Sequence, residues 1–498
     1  MFLENVKRMF FGGLRWFSPG RHHPSCDWNN VDQMPLNRAC SISQRSDAMR
    51  KFLVFSLVIT LVAVVASQAH RSSAERDSTD DGNLIVHEWG TFTTFSGSDG
   101  VFLDFRPLAA EHSDLPAYVL DRGSFSPLFY LSKQRLWGRV RMETPVTYFY
   151  TDRIRTVNVR VDFPEGLLTE FYPPVQSMQP AIDQENIFGK GELIGKSSLD
   201  WGQVDLIPIR QLVPNLADGD KRETIAEDLV QRLLPHGVNE QHYAEARATD
   251  SALLHVRRKT GVHQPESGHF EKFLFYRGVG KFQLPISAHY QDSSILLAND
   301  ADLPIRAAIL IDVDGNEIKA SKLARVDSGQ TLRFDQARPV SEQELSELVH
   351  DSLVAEGLYE KEAASMVKTW QHSWFTENGT RILYMVPTPI TDELLPLHVT
   401  PTPDETLRVL VGRMEMMSPQ AEQQMIEVVA QSVRDRAAHL ADQKLHATKL
   451  PYTIPTAVRD FGRMAEPALV RVSKIAGDEQ VRNEAARLAR QFQQASVQ

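Results

Sequence analysis

Cysteine is almost absent from this sequence. Its 498 residues include two, Cys26 and Cys40, and both lie before residue 49. A chain that starts downstream of them carries no thiol. Disulfides, cysteine nucleophiles and thiolate metal sites are therefore excluded from that part.

The sequence also lacks an excess of positive charge. The formal net charge is −10, and the first 69 residues hold eight of the 54 Lys and Arg but four of the 64 Asp and Glu, so the remainder carries −14. Binding to nucleic acid depends largely on basic side chains that neutralise phosphates. The composition therefore argues against a nucleic acid as partner.

The common catalytic signatures are lacking as well. The sequence has no GxSxG, P-loop or GxGxxG, and Thr91 stands where HExxH would need its second histidine. The stretch IDVDGNEI begins like a calcium loop, but Gly315 is at the fourth loop position instead of the sixth. Asp314 and Gly315 instead predict a hairpin turn.

One long hydrophobic run contains no charged residue. Residues 52–66 (FLVFSLVITLVAVVA) follow the basic pair Arg50 and Lys51 and precede a small-polar segment. This is the layout of a secretory signal peptide, which predicts export and cleavage before His70. An uncleaved anchor is the alternative, although a spanning helix needs about 20 apolar residues; the membrane would then be a partner through residues 52–66 alone.

The chain divides into five segments by composition. Residues 1–48 are a disordered tail or a mis-assigned extension, 49–69 the signal peptide or anchor, and 70–83 a polar linker. Residues 84–340 form a β-rich body with a helical insertion near 218–250. Residues 341–498 are mixed and then mainly helical.

Alternating, β-branched segments separated by proline and glycine predict antiparallel sheets. The expected fold class is α+β, with an antiparallel β-sandwich body, helical insertions and a C-terminal helical cap. In that cap, apolar residues at helical spacing on both sides of Gly477 and Asp478 resemble one HEAT-type helix pair. The predicted strands are 84–95, 146–150, 156–163, 270–276, 294–298, 305–313, 331–334 and 407–414.

Candidate catalytic groups are few. His87 and Glu88 could act as metal ligands or as base and orienting group, but neighbours on a strand face opposite sides, so one of them at most reaches a given site. Glu143 and His242 are the further candidates for a catalytic role.

Candidate binding groups cluster at predicted strand ends. Arg141, Tyr276 and Arg277 could hold a carboxylate, phosphate or sugar acid through the arginine fork, or could form structural ion pairs. Trp370 and Trp374 are four residues apart, so they share a face of a helix and either pack in the core or form a stacking platform.

The sequence identifies neither a metal nor a cofactor, and both stay open. Zinc needs ligands that converge in fixed geometry, and the spacings of a histidine-rich stretch match no such pattern. Whether a metal binds is left unknown. The stretch consists of His236, His242, His255, His263 and His269.

Five segments together resemble an uncharacterised family of exported bacterial proteins. They are HEWGT (87–91), METPV (142–146), YAEARATD (243–250), FLFYRG (273–278) and LVGRME (410–415). The resemblance covers most of residues 84–495 and implies a periplasmic or cell-surface location. It implies no activity.

The leading hypothesis is an exported, non-enzymatic binding or envelope-associated protein whose partner is a cell-envelope component or small ligand. The alternative is an exported hydrolase or carbohydrate-active enzyme, with or without a metal. Such an enzyme needs His87 or Glu88, Glu143, His242 and Arg277 to converge in one cleft.

Overall fold

The computed structural model describes residues 83–106, 115–122, 136–180, 194–213, 219–238, 241–258, 267–443 and 454–495. The predictions for the tail, signal peptide and most of the linker lie outside these ranges, as does His263. Within them, no helix is both long and apolar enough to cross a membrane.

Strands dominate the described part of the chain before residue 340. The predicted segment 270–276 is divided between two strands by a bend. In chain order the strands are β1 (Leu84–Ser96), β2 (Leu120–Asp121), β3 (Val140–Thr151), β4 (Arg155–Phe163), β5 (Gly166–Tyr172), β6 (Ser177–Gln179), β7 (Ser197–Ile207), β8 (Leu253–Arg258), β9 (Ser267–Glu271), β10 (Leu274–Gly280), β11 (Ile286–Gln291), β12 (Ser294–Asn299), β13 (Ala308–Asp314), β14 (Glu317–Leu323), β15 (Thr331–Arg333), β16 (Arg338–Pro339), β17 (Gly379–Val386), β18 (Leu397–Thr400) and β19 (Glu405–Met416).

Helices follow the pattern of apolar spacing and caps in the sequence. Ser341 accepts a hydrogen bond from the Glu344 backbone N–H and so caps the helix that begins at Glu342. The α-helices are α1 (Gly219–Leu233), α2 (Gln241–Glu245), α3 (Glu342–Ala355), α4 (Glu360–Phe375), α5 (Thr388–Leu394), α6 (Pro419–Gln443), α7 (Thr456–Arg459), α8 (Ala465–Ile475) and α9 (Glu479–Ala495).

A ten-stranded sheet forms the centre of the fold, in the order β16-β14-β13-β17-β19-β1-β3-β10-β5-β2. Its pairings are antiparallel except for β1 and β19, which run parallel in register from Ile85 opposite Glu405 to Ser96 opposite Met416. The sheet is therefore mixed at its middle, where only antiparallel pairing was predicted. β1 is rich in β-branched and aromatic residues and buried on both faces, as a central strand requires.

Two smaller sheets cover one face of the central sheet. They are a six-stranded sheet built on β18-β4-β7-β8-β9 with β6, and a three-stranded sheet β11-β12-β15. Phe92 and Met142 of the central sheet belong to the same buried cluster as Val159, Trp201 and Leu297 of the smaller ones. The body is a β-sandwich, which confirms the predicted fold class.

Helices α2, α3 and α4 cover the opposite face. Trp89 and Leu383 of the sheet share a buried cluster with Leu345 of α3 and with Met366 and Trp374 of α4. The Trp370 and Trp374 rings stack with centroids 6.1 Å apart. The central sheet thus lies between smaller sheets and a helical layer.

The C-terminal helix pair is α8 and α9, and α6 packs beside them. Leu469 and Val472 of α8 meet Leu488 of α9 in one buried cluster, and Asp478 caps α9 through the Gln480 N–H at 2.6 Å. Ile475, at the end of α8, is 38% exposed. As HEAT-type units require, the pair buries its face only with a neighbour, here α6.

Candidate functional site

Strands β1, β3 and β10 are all irregular at one level of the central sheet. The β1–β3 register shifts beside Gly90, and the β3–β10 register shifts between Phe275 and Gly278. On β3 the irregularity falls at Thr144, whose φ is +52°, and at Pro145. Proline lacks the N–H that a central strand uses, so it occurs inside a sheet mainly at a bulge.

Gly90 fits this bulge because it has no side chain. A Cβ at Gly90 would lie 3.0 Å from Pro145 Cα, which is tighter than ordinary contacts. The HEWGT and METPV segments therefore match each other sterically: one supplies the proline bulge, and the other supplies the glycine that passes beside it.

Glu88 lies in the sandwich face of the sheet and is enclosed. Its Oε1 accepts hydrogen bonds from Tyr276 at 2.6 Å and Thr147 at 2.8 Å, and its Oε2 accepts from Arg408 Nε at 2.7 Å. The side chain is 0% exposed. Burial and the neighbouring Glu88 charge raise the pKa of Tyr276 well above its ordinary value. This cluster joins β1, β3, β10 and β19, and its four side chains are all buried.

His87 faces the helical layer on the opposite side of the sheet. Its Nδ1 lies 2.9 Å from Glu362 Oε2, and Tyr150 donates to the other Glu362 oxygen at 2.7 Å. The imidazole packs against Tyr359, with ring centroids 4.4 Å apart. A carboxylate that orients an imidazole is typical of a general base, but His87 is 1% exposed. Glu362 thus ties α4 to the sheet.

Seven charged side chains form a continuous series near the β3 bulge, with arginine and glutamate alternating. They come from β3, β17 and β19, from the end of α4, and from the turn before α8. The series, which we call the arginine–glutamate chain, runs Arg141, Glu143, Arg463, Glu377, Arg413, Glu415 and Arg381, with successive N–O separations of 3.3, 3.6, 3.0, 3.2, 2.6 and 3.3 Å.

Two carboxylates of the arginine–glutamate chain, Glu143 and Glu415, have lowered pKa values and are held in their charged form. Burial by itself would raise the pKa of Glu143, but the charges of Arg141, Arg463 and Arg413 and the Thr93 hydrogen bond outweigh it, so the pKa falls to about 2. The arginine–glutamate chain contains four arginines and three glutamates. A carboxylate is thus favoured here over a cation.

A pocket of about 140 Å³ opens beside the bulge and the arginine–glutamate chain. Its charged side chains are those of Arg277, whose Nη2 lies 3.4 Å from Thr144 Oγ1, of Arg463, and of Glu377, which pairs with Arg463 at 3.0 Å. Its apolar walls are aromatic: Tyr243, Phe275 and Trp370. The buried Trp370 Nε1 has no hydrogen-bond partner within the described ranges. Three of the five resemblance segments line this pocket, and a fourth, LVGRME, supplies Arg413 and Glu415 behind it.

The other candidate residues lie at several places. Arg141 and Glu143 belong to the arginine–glutamate chain, and Arg277 lines the pocket. Tyr276, next to Arg277, faces the Glu88 cluster on the other side of the sheet. His242 lies on α2, and only its backbone is described. The structure brings Glu143 and Arg277 to one region and keeps His87 and Glu88 apart.

The histidine-rich stretch is spread over separate elements. His255 on β8 lies 3.3 Å from Asp205 and stacks on Phe270, with ring centroids 4.5 Å apart. His269 is on β9, and His236 follows α1. In the described ranges, no group of three or more His, Cys, Asp or Glu side chains has the arrangement of a metal site.

Sequence reasoning missed Arg381, Arg413, Glu415 and Arg463. A usable signal was present for three of them. RILYMV and LVGRMEM read as buried strands, and a charged residue inside a buried strand needs a partner of opposite charge. The partners could not be known without the pairing of β17 with β19.

No family model matches this chain, and no curated protein matches it. Similar solved structures include the Fcho1 mu homology domain from Danio rerio with a bound Eps15 peptide, at 7% identity and a TM-score of 0.24. They also include the yeast delta-COP-I mu-homology domain, at 8% identity and a TM-score of 0.21. Each alignment spans 68% of this chain and 98% of the matched chain. At these TM-scores the likeness carries no argument about function, and the resemblance to an exported bacterial family stays a prediction.

Proposed function

We propose that this chain is an exported binding protein that holds a small carboxylate with an aromatic or apolar part in the pocket beside the β3 bulge. The observation that carries the proposal is the meeting of Arg277 and Arg463 with the aromatic walls of that pocket. Arginine presents a planar fork that matches a carboxylate, and aromatic rings take up an apolar group.

The size of the pocket limits the ligand. Pockets for drug-sized molecules measure about 300–1,000 Å³, and this one measures about 140 Å³. It therefore suits a small acid, or the terminal acidic group of a larger envelope component whose remainder stays outside. Outside this pocket the net negative charge of the protein disfavours the binding of anions to its surface.

The alternative of an exported hydrolase needs acid and base groups in one cleft. His87 and Glu88 lie on opposite faces of the sheet, and each is bonded to a buried partner. Glu143 is held as a carboxylate between arginines. These placements support binding over catalysis by this set of residues.

Export is the second part of the proposal. It rests on residues 49–69, with their basic start, uncharged middle and small-residue end. A periplasmic or cell-surface location then follows, with a single N-terminal helix as anchor if the segment is not cleaved.

A thermal-shift panel tests the binding proposal. Acetate, benzoate, phenylacetate and indole-3-acetate are each compared with the corresponding amide, which has the same shape but no charge. We expect the aromatic acids to raise the melting temperature and the amides to leave it unchanged. Equal shifts for acids and amides, or no shift with any acid, would contradict the proposal.

A further inference from the structure

A second cleft lies on the helical side of the body, at α1. Its volume is about 960 Å³. Glu223 and Glu227 of α1 form one wall, and Asp250, Lys272 and Lys361 are among the residues on the other walls. The YAEARATD segment reaches this cleft through Arg247 to Asp250, so it serves both this cleft and the pocket at the bulge.

Lys272 has an unusual position for a lysine. It joins β9 to β10 and is 6% exposed. Its Nζ donates a hydrogen bond to the Thr249 carbonyl oxygen, and within the described ranges it has no carboxylate at ion-pair distance. The adjacent Glu271 forms an ion pair with Arg247, whose Nη2 lies 2.8 Å from Glu271 Oε2.

The pKa values of the two lysines in the cleft are shifted in opposite directions. Burial lowers the pKa of Lys272 to about 8, although Asp250, Glu271 and Glu227 act against that shift and Lys361 adds to it. The pKa of Lys361 is raised because its Nζ is hydrogen-bonded to Asp250 at 2.6 Å. At pH 8 about half of the Lys272 side chains are neutral amines, against fewer than about one in a hundred for an ordinary lysine.

We propose that Lys272 is a covalent attachment site for a small aldehyde or ketone that enters the cleft beside α1. The Nζ lone pair attacks the carbonyl carbon, a C–N bond forms, and the carbonyl oxygen leaves as water with the two amine protons, giving an imine. A buried, uncharged lysine amine is the nucleophile that this chemistry needs. Lys272 is among the residues that line the cleft through which the carbonyl compound would approach. This site is separate from the carboxylate pocket and does not depend on it.

The test is reductive trapping on the purified full-length protein at pH 8. Glycolaldehyde is the probe, sodium cyanoborohydride reduces any imine to a stable amine, and peptide mass mapping locates the adduct. We expect Lys272 to be modified at least about tenfold faster than Lys361, because a larger fraction of Lys272 is neutral at pH 8. Burial slows the approach of the aldehyde, so the difference in rate is smaller than the difference in neutral fraction. Its rate should level off above about pH 8, whereas the rates of exposed lysines should keep rising.

The variants Lys272→Met and Lys319→Met provide the matched pair. Lys319 is on β14, away from the cleft, and pairs with Glu317 at 3.0 Å. The fast adduct should vanish in the first variant and persist in the second. Wild-type mapping decides the matter even if Lys272→Met fails to fold. Modification of Lys272 at or below the rate of Lys361 overturns the proposal.

Discussion

Arg463 Nη1 lies 3.6 Å from Glu143 Oε1, and this contact joins the segment before α8 to strand β3. Glu143 is also paired with Arg141 at 3.3 Å and accepts a hydrogen bond from Thr93 at 2.7 Å. One buried carboxylate therefore holds the C-terminal region, β1 and β3 together at the edge of the proposed binding pocket.

Glu143→Gln should destabilise the protein by about 3 kcal/mol, because removal of one member of a buried ion pair leaves its partners uncompensated. Urea unfolding measures this loss. Glu317→Gln is the control, since its exposed pair with Lys319 should contribute about 0–1 kcal/mol. Equal losses in the two variants would show that Glu143 is not held as described.

The same carboxylate predicts an acid dependence of stability. The pKa of Glu143 is lowered from 4.5 to about 2 in the folded protein. A lowered folded-state pKa contributes stability that is complete above the unfolded-state value and is lost as pH falls from about 4.5 towards 2. The free energy of unfolding should therefore fall less steeply over that range in Glu143→Gln than in the wild type. Parallel curves for the two proteins would refute this assignment.

Glu88 and Arg408 should behave as one unit. Glu88→Gln and Arg408→Met each leave a buried polar group without its partner, so each should cost about 3–5 kcal/mol. The double variant should cost less than the sum of the two, because neither charge then remains alone. Unfolding free energies for the four proteins give the coupling directly. Additive losses would mean that the 2.7 Å contact between them is not formed.

Gly90→Ala tests the fit of β1 against the bulge. The new Cβ would lie 3.0 Å from Pro145 Cα, a backbone atom held on both sides, so we expect a loss of about 1–3 kcal/mol. Gly477→Ala is the matched control, because nothing lies within 4 Å of its Cβ position. A Gly90→Ala protein as stable as this control would show that the bulge yields to a side chain. Thermal unfolding compares the two.

Several elements followed from local sequence, and the pairing of strands did not. The predicted hairpin forms between β13 and β14, but its two-residue loop is Gly315 and Asn316, because Asp314 still pairs with Glu317. Ser341 caps the start of α3. Both depend on residues close in the chain. The parallel pairing of β1 with β19 joins residues 84–96 to residues 405–416, and no local pattern determines such a distant partner.

The residues of the candidate site also differ in how far local sequence could predict their positions. Alternation along a strand was enough to place His87 and Glu88 on opposite faces. It gave no means of knowing that both would be buried, since that depends on the layers that cover the sheet. Arg277 was a candidate from its place at a strand end, but Arg463 enters the pocket only because the C-terminal region folds back onto β3.

A calorimetric titration tests the central claim most directly. Benzoate, phenylacetate and indole-3-acetate are titrated into the wild type, Arg277→Gln and the control Arg306→Gln, whose side chain is 66% exposed and lies 3.7 Å from Glu356. We expect at least one acid to bind the wild type and the control equally, and to bind Arg277→Gln about ten- to a hundredfold more weakly, as the loss of a charged hydrogen bond predicts. Unchanged affinity in Arg277→Gln would contradict the account.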